Sequence, residues 1–288
     1  MPFKTSKFPL LPRKKDTDKS AYGHVLVLAG SGRMSGAARL VGRACLSAGA
    51  GLVTVGVPES VSGIFSKKAL AELMCLPLPE THAGTLATAG YSKIMSFIRA
   101  RRVNGVAIGP GLSHETTTST LIRKLVKNIP LPVVLDADGL NAYKEKSAEL
   151  KKHRGALIVT PHRAEFERLF SQKWPTNPAR RAALAKNLSR FYDVTIVLKG
   201  HHTLVVQKNE IYKNRTGNPG MAKGGSGDVL TGVIAAFIAQ GLSPFQAASW
   251  AVYFHGKAAD LAVKTKSELS LLASDIIDNL SNAFRQKK

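Results

Sequence analysis

Short apolar runs rich in β-branched residues alternate with longer helical stretches along most of the chain. The short runs predict six strands, at His24–Ala29, Leu52–Val57, Gly105–Ile108, Val133–Asp136, Ala156–Thr160 and Thr195–Leu198. The stretches between them predict helices at Ala37–Ala48, Thr116–Val126, Arg163–Phe170 and Pro178–Phe191. This alternation is typical of an α/β fold with a central, mainly parallel sheet that is covered by helices on both faces.

The alternation ends towards the C-terminus. Thr203–Val206 and Ile211–Lys213 predict a hairpin, and Val229–Gln240 predicts a helix that ends at a glycine. We find no linker, low-complexity tract or internal repeat in the sequence. We therefore expect a basic N-terminal extension over residues 1–21 and a single domain over residues 22–288.

Size and composition exclude several classes of protein. The chain has 288 residues, of which 44% are hydrophobic, and this is ample for a globular core. Its longest apolar runs are far shorter than the roughly 18 residues of a membrane-spanning helix, and its N-terminus lacks the apolar region of a secretory signal. Two cysteines are too few for a disulfide framework. We expect a cytoplasmic protein without a membrane partner.

The formal net charge of +22 raises the question of nucleic-acid binding. The basic residues are nevertheless spread along the chain, and no aromatic-interleaved basic motif or zinc knuckle accompanies them. The charge favours a solvated basic surface that modestly attracts polyanionic nucleotides, so we expect no specific nucleic-acid partner. The non-enzymatic alternative, a nucleotide sensor or nucleic-acid-binding protein, predicts steeply salt-dependent binding and no turnover.

The segment Asn214–Val233, NRTGNPGMAKGGSGDVLTGV, places a glycine-rich turn before the carboxylate Asp228 and a helix of small residues. Gly224, Gly225 and Gly227 allow successive backbone N–H groups to converge on an anion, and the helix adds its positive dipole end. An anion pocket with a carboxylate at its lip suits phosphoryl transfer from a nucleotide, because the carboxylate can take the proton of the attacking hydroxyl. The turn is not a P-loop, since its lysine is followed by glycine.

Polar or glycine-rich turns also follow five predicted strands, with the sequences GSGRMSGA, GPGL, DADGLN, TPHRAE and KGHHT. Ligands of open parallel sheets bind outside the carboxyl ends of the strands, so we expect these turns to line one groove. The first turn has Ser35 where a dinucleotide-binding GxGxxG motif needs its third glycine. This misfit counts against a dehydrogenase.

Together these segments resemble the ADP- or ATP-dependent NAD(P)H-hydrate dehydratases, a branch of the ribokinase-like superfamily. The resemblance spans roughly Tyr22 to Ala262 in seven motifs that occur in the family's order: GHVLVLAGSGRMSGAA, AGAGLVTV, IGPGL, VLDADGLN, TPHRAEF, VLKGHHT and GNPGMAKGGSGDVLTG. Two positions depart from the family's pattern. Ser113 follows GPGL where glycine is frequent, and Lys223 stands where a small residue or threonine is common.

The resemblance implies repair of a nicotinamide hydrate, NADHX or NADPHX, by phosphorylation of its ring hydroxyl and elimination of phosphate. Asp228 is then the general base, and the N–H groups of Gly225, Ser226 and Gly227 form an anion hole for the transferring phosphoryl group. The nearest alternative is a small-molecule kinase of the same superfamily, acting on a sugar, hydroxyethylthiazole or a pyrimidine alcohol. The same turn and aspartate would serve that reaction.

The resemblance also implies the binding residues. Ala37, Gly111, His162 and Asp228 match positions that contact the hydrate. A histidine after Thr-Pro, such as His162, could equally cap a helix. Contacts with ADP or ATP fall to the KGHHT segment and the glycine turn, at Lys199, Gly200, His201, His202, Thr203 and Gly227.

Magnesium is expected as a cofactor because phosphoryl transfer needs charge neutralisation. Glu165 is the candidate for orienting the metal, but it could as easily complement its helix dipole as a first-turn acid. Asp136 at a strand end could reach the metal or its waters, and Asp138 is a plausible helix cap. The family further implies a homo-oligomer, commonly a tetramer. The sequence leaves the preferred nucleotide and the preferred hydrate open.

Overall fold

The computed structural model describes residues 8–10, 12–13, 15–66 and 71–285. Its named strands form one nine-stranded sheet, with β1 at His24–Leu28, β2 at Leu52–Pro58, β3 at Met74–Leu78, β4 at Gly105–Ile108, β5 at Val133–Leu135, β6 at Leu157–Val159, β7 at Val194–Leu198, β8 at Leu204–Gln207 and β9 at Glu210–Lys213. Their order across the sheet is β3-β2-β1-β4-β5-β6-β7-β8-β9.

The sheet is parallel from β3 to β7, and β8 and β9 complete it as antiparallel strands. This arrangement confirms the predicted mainly parallel sheet and the predicted hairpin. Alternate residues of β1 belong to different cores: Val25 and Val27 pack on one side of the sheet, Leu26 and Leu28 on the other. Both faces are therefore buried, as expected for parallel strands.

Nine α-helices lie within the described residues, with α1 at Ser35–Ser47, α2 at Tyr91–Ala100, α3 at Thr116–Asn128, α4 at Asp138–Asn141, α5 at Arg163–Phe170, α6 at Pro178–Tyr192, α7 at Ser226–Ala239, α8 at Pro244–Ala262 and α9 at Ala273–Phe284. Residues of α1, α7, α8 and α9 build the core on one face, and residues of α2, α3, α5 and α6 build the other. None of these helices combines the length and apolarity needed to cross a membrane.

All six strands and all four helices that the alternation predicts are present, with ends shifted by a few residues. Strand β3 and helix α2 were not predicted. β3 carries Pro77 and a partly exposed Met74 at the edge of the sheet, so it lacks the continuous apolar run of the central strands. Helix α2 has apolar residues at helical spacing, Tyr91, Ile94, Met95 and Ile98, which pack on the core, so its pattern was present in the sequence but was not recognised.

The helix α7 packs unusually close to α1. A β-carbon on Gly232 would lie 2.5 Å from the carbonyl oxygen of Val41 and 2.7 Å from the β-carbon of Ala44. The thiol of Cys45 donates to the Gly232 carbonyl oxygen at 3.2 Å, so this cysteine is a buried packing residue. Burial raises the pKa of the Cys45 thiol well above its usual range, which keeps it in the neutral form.

Phe8 lies before the first strand but belongs to the core. Its ring centroid is 4.8 Å from that of Phe254, 5.0 Å from that of Phe237 and 5.2 Å from that of Trp250. The segment predicted as a basic extension, residues 1–21, therefore contributes an aromatic anchor to the folded body.

Candidate active site

The turns after the parallel strands meet at the carboxyl edge of the sheet. The N–H of Gly30, after β1, donates to the carbonyl oxygen of Pro110, after β4, at 2.8 Å. The N–H of Lys199, at the end of β7, donates to the carbonyl oxygen of Pro161, after β6, at 2.9 Å. These contacts tie together turns that are far apart in sequence, as the groove hypothesis requires.

The glycine turn forms the mouth of α7. Gly225 is the N-cap and has φ +89°, in the left-handed region that favours glycine. The helix begins at Ser226, three residues before the predicted start, so Asp228 lies in its first turn. The Ser226 N–H points back to the Lys223 carbonyl oxygen at 3.4 Å, whereas no described acceptor takes the N–H of Gly225 or Gly227. Two of the three predicted anion-hole donors are therefore open.

Asp228 is a half-buried carboxylate at this mouth, and it makes no hydrogen bond or ion pair with any described residue. Burial raises the pKa of Asp228 to about 7, the negative charge of Asp136 adds to the rise, and the positive charge of Lys199 opposes it. A carboxyl group with this pKa can take up and release a proton near neutral pH, as a general base must.

Behind the mouth lies a buried ion-pair network. The Lys199 ammonium is 2.6 Å from Asp136 Oδ1 and 3.4 Å from Glu165 Oε2, and the Thr231 hydroxyl donates to Asp136 Oδ2 at 2.7 Å. Burial acts to lower the pKa of Lys199, but the two carboxylates outweigh it and raise that pKa above its usual value. The network is stable because each buried charge has an opposite charge or a hydrogen bond.

The network touches the glycine turn. A β-carbon on Gly227 would lie 3.5 Å from the Lys199 ammonium and 3.7 Å from Asp136 Oδ2. The side chain of Lys199, a predicted nucleotide contact, thus points into the carboxylate pair at the edge of the anion pocket. Its charge is shared with Asp136 and Glu165 before any ligand arrives.

His162 and Glu165 form a capping box at the start of α5. His162 is the N-cap, where its Nδ1 accepts from the Glu165 N–H at 3.3 Å, and Glu165 Oε2 accepts from the His162 N–H at 2.8 Å. The helix-cap interpretation of His162 and the first-turn-acid interpretation of Glu165 are therefore confirmed. Within the part of the chain that the structure describes, no three His, Cys, Asp or Glu side chains are grouped as a metal would need.

Ala37 and Gly111, two of the predicted hydrate contacts, lie against each other. Gly111 has φ +68°, and a β-carbon there would be 2.9 Å from the Ala37 β-carbon and 2.9 Å from the Met34 carbonyl oxygen. Only glycine at position 111 lets the turn after β4 approach the start of α1 this closely. The side chain of Met34 beside them is exposed, so this wall presents an apolar surface.

The prediction that Asp138 caps a helix was wrong. Ala137 is the N-cap of the short helix α4, and Asp138 is its first residue. The Asp138 carboxylate instead accepts from the Ser113 N–H at 2.8 Å and lies 3.1 Å from His114 Nε2. Asp138 Oδ1 also accepts from Asn141 Nδ2 of the same helix at 3.2 Å. The Asp138 carboxylate thus joins α4 to the turn after β4 and fixes the position of Ser113.

Two polar residues at the site were not predicted. Thr231 fixes one oxygen of Asp136, and His255 of α8 lies with its Nε2 3.5 Å from the Ser226 hydroxyl. Burial lowers the pKa of His255 to about 4, so its ring is neutral near pH 7. Thr231 lies in the glycine-rich motif itself, one turn after Asp228 on α7, whereas His255 reaches the site from a separate helix, α8.

The predicted nucleotide segment is the turn between β7 and β8. The rings of His201 and His202 lie 3.9 Å apart, and His202 Nδ1 is 3.2 Å from the Asn214 carbonyl oxygen. Thr203 closes the turn, because its hydroxyl donates to the Gly200 carbonyl oxygen at 3.0 Å. Lys199, Gly200 and both histidines line a cavity of about 270 Å³.

Comparisons with known proteins point to one family. A family model described as NAD(P)H-hydrate dehydratase matches residues 25–282. The ADP-dependent (S)-NAD(P)H-hydrate dehydratase of Neisseria meningitidis serogroup B is 36% identical, over 92% of this chain and 86% of that protein. A bifunctional NAD(P)H-hydrate repair enzyme of Moorella thermoacetica is 39% identical over 96% of this chain. This chain spans about half the length of that relative, 52%.

Solved structures share the fold. The crystal structure of the ADP/ATP-dependent NAD(P)H-hydrate dehydratase from Bacillus subtilis, co-crystallised with ATP/Mg²⁺, is 31% identical and superposes with a TM-score of 0.79, over 95% of this chain and 92% of that one. A ribokinase-like superfamily protein from Enterococcus faecalis is 26% identical and gives 0.77, over 95% and 90%. The predicted ribokinase-like fold is confirmed.

Proposed function

The chain belongs to the NAD(P)H-hydrate dehydratase family, and on this premise we propose that it restores NAD(P)H from the hydrates NADHX and NADPHX, with ADP or ATP as phosphoryl donor. Residues 22–288 would act as one dehydratase domain. One observation carries the proposal: Asp228 is a carboxylate without a described partner, its pKa is about 7, and it stands in the first turn of α7 beside the open N–H groups of Gly225 and Gly227.

In the proposed mechanism, Asp228 takes the proton of the hydrate's ring hydroxyl as the hydroxyl oxygen attacks the terminal phosphorus of the nucleotide. The bond from that phosphorus to the bridging oxygen breaks, and the shortened nucleotide leaves. The N–H groups of Gly225 and Gly227 donate to the transferring phosphoryl group and stabilise its charge. The ring nitrogen's lone pair then expels phosphate, and loss of a proton from the neighbouring carbon restores the double bond.

The binding residues follow from the same proposal. Ala37 and Gly111 would lie against the hydrate, whose ring meets an apolar wall there. His162 would contact the hydrate from the cap of α5, where Glu165 fixes its backbone N–H. The nucleotide would lie along the segment from Lys199 to Thr203 and against Gly227.

Magnesium fits this site as an ion that arrives with the nucleotide. The carboxylates of Asp136 and Glu165 are already paired with Lys199, and magnesium commonly takes only one or two carboxylates beside substrate phosphates and water. Asp136 and Glu165 would hold the ion or its waters. When bound, it would neutralise charge on the phosphates.

The proposal is tested with purified protein, NADHX or NADPHX, and ADP or ATP in separate reactions. We expect recovery of the absorbance of reduced nicotinamide together with release of free phosphate. A stable phosphorylated alcohol in place of free phosphate would indicate the kinase alternative. Light scattering checks the expected homo-oligomer, a tetramer by family expectation, and fractionation of cells checks the expected cytoplasmic location.

A further inference from the structure

A second cavity, of about 280 Å³, lies at the edge of the sheet opposite the candidate active site. It adjoins the beginnings of β6 and β7, the end of β8 and the start of α8. Thr195 of β7 lines this cavity, and it precedes Lys199 of the ion-pair network by four residues, about 13 Å along a strand. The cavity is therefore separate from the place where the proposed reaction occurs.

The hydroxyl of Thr195 is a buried polar group that has no hydrogen-bond partner among the described residues, and the residue is only 1% exposed. Because alternate residues of a strand face opposite sides of the sheet, Thr195 faces the same side as Val197, which packs in one core with residues of α8. Pro244, the first residue of α8, lines the cavity on that side. The Thr195 side chain is therefore directed towards the cavity, where an acceptor would relieve the unfavourable burial of its hydroxyl.

The rest of the lining favours an acceptor that carries negative charge. The side chains of Arg154 and Gln207 line the cavity, and neither forms a hydrogen bond or ion pair with another described residue. Lys208 adds a second cation, and its ammonium lies 2.9 Å from Oδ1 of Asp193, the single carboxylate among the described lining residues. The start of α8 adds the positive end of a 19-residue helix.

We propose that this cavity binds a small oxyanion of the phosphate class. The Thr195 hydroxyl and the Gln207 amide donate to its oxygens, and the Arg154 guanidinium pairs with its charge, which it can do through two parallel hydrogen bonds. A volume of about 280 Å³ lies at the lower end of the range for small-molecule pockets, roughly 300–1,000 Å³. This size favours either free phosphate or the phosphate group of a small ester over a nucleotide.

Isothermal titration calorimetry with inorganic phosphate tests the inference. The protein is first saturated with ADP, so that the glycine turn before α7 is occupied, and chloride keeps the ionic strength constant. We expect saturable binding of phosphate. A second titration with glycerol phosphate distinguishes the two sources, because a lower Kd for the ester identifies an organic phosphate and a lower Kd for inorganic phosphate identifies the free ion. No saturable binding of either probe would overturn the inference.

Thr195→Val removes the hydroxyl and nearly keeps the shape of the side chain. Without ligand its Tm should equal or exceed that of the wild type, since the hydroxyl has no described partner to lose. The Kd of the preferred probe should rise about tenfold, as loss of a hydrogen bond to a charged group does. Thr195→Ser keeps the hydroxyl and should keep the wild-type Kd. An unchanged Kd in Thr195→Val, or a lower Tm of that variant without ligand, would show that the hydroxyl serves only the fold and would overturn the inference.

Arg154→Gln and Lys152→Gln form a matched pair for the charge. Both substitutions remove one cation from the same exposed segment, but Lys152 does not line the cavity. Arg154→Gln should raise the Kd of the preferred probe about tenfold, and Lys152→Gln should leave it unchanged. Equal Kd values in the two variants would show that only the general positive charge attracts the anion, which contradicts the inference.

None of these measurements requires turnover, so the inference and the proposed function fail separately. Loss of the inference leaves the proposed function intact if NAD(P)H recovery and phosphate release persist. Conversely, phosphate binding that depends on Thr195 and Arg154, in a protein that restores no NAD(P)H, would support the cavity while contradicting the proposed function.

Discussion

The mouth of α7 and the end of β5 each present an aspartate at the same edge of the sheet, yet the two regions treat the charge in opposite ways. At the end of β5, Asp136 is only 1% exposed, and both of its oxygens have partners, Lys199 and Thr231. At the mouth of α7, Asp228 is half-buried and has no described partner. The carboxylate of Asp136 is held by two donors, whereas burial destabilises the charge of Asp228.

This difference assigns roles without reference to any relative. A carboxylate that is saturated with donors serves as a structural anchor and an electrostatic neighbour, and one that lacks them can exchange a proton. Asp136 also contributes to the reactivity of Asp228, because its negative charge helps to raise the pKa of the latter. The ion-pair network around Asp136 therefore helps to set the pKa of Asp228 at the mouth of α7.

The largest effect is expected from Asp228→Asn. Removal of the base should lower kcat about 10²–10⁴-fold, while the variant folds and still binds nucleotide. Steady-state kinetics and nucleotide titration measure the two properties separately. A variant that keeps near-normal kcat would remove Asp228 from the role of base.

The pH dependence provides a control for this prediction. Since the base acts when deprotonated, kcat/KM of the wild type should rise with pH through about 7, the pKa of Asp228. The native state holds this proton more tightly than the unfolded chain, whose pKa is near 3.8. The contribution of Asp228 to the free energy of unfolding is therefore most favourable below pH 3.8, where the carboxyl is protonated in both states, and it is lost as pH rises towards 7. Asp228→Asn should gain more stability at about pH 8 than at about pH 5.

Lys199→Met tests the paired region. It leaves the buried carboxylates of Asp136 and Glu165 without their cation, and it should lower the free energy of unfolding by about 3–5 kcal/mol in urea titrations. Lys208→Met is the matched control, because Lys208 pairs with Asp193 at 2.9 Å on the exposed surface. That change should cost less than about 1 kcal/mol. Equal losses in the two variants would show that burial of the network carries no special stability.

Gly225→Ala sharpens the description of the mouth itself. The φ of +89° should cost about 1–2 kcal/mol for an L-residue, and the new β-carbon would lie 2.7 Å from Leu40 Cδ1 and 3.0 Å from the Ala273 β-carbon. We expect lower stability and a higher KM for the nucleotide. Gly224→Ala is the control, since a β-carbon there meets nothing within 4 Å. Similar nucleotide KM values for both variants would contradict the role assigned to Gly225.

Ser113→Gly should have the smallest effect. Ser113 has φ +75° at a position where the family often has glycine, and only its backbone N–H is bonded to Asp138. Relief of about 1–2 kcal/mol of left-handed strain is partly offset by the greater chain entropy of unfolded glycine, about 0.5–1 kcal/mol. A rise of a few degrees or less in Tm is expected, and a clear fall would show that the serine hydroxyl matters.

The fold could be predicted from sequence wherever a strand was buried on both faces. β1 and β4 read as continuous apolar runs because every side chain meets a helix layer. β3 could not be recognised in this way, since only Leu78 of its five residues is buried. β3 is a strand because it pairs with β2. That pairing forms only in the tertiary structure, so the residues of β3 alone do not predict it.

The candidate site likewise has a part that local sequence predicts and a part that only tertiary structure reveals. Asp228 and the glycines that precede it are neighbours in sequence, so their chemistry could be predicted from one segment. The partners that set their properties are not neighbours. Asp136 and Lys199, whose charges shift the pKa of Asp228, lie at the ends of β5 and β7, and His255 approaches Ser226 from another helix. A sequence pattern cannot assign the protonation state of Asp228, because that state depends on charges that only folding brings together.

The contact between Gly232 and α1 has a consequence for how the protein can move. With backbone resting on backbone at that crossing, α7 can neither slide nor roll without steric collision. We therefore expect the end of α7 that carries the base to move together with α1 as one body. Adaptation to a different acceptor would then come from changes in the turns opposite this helix end. An inhibitor that binds the N-terminus of α7 should keep its affinity when those turns change.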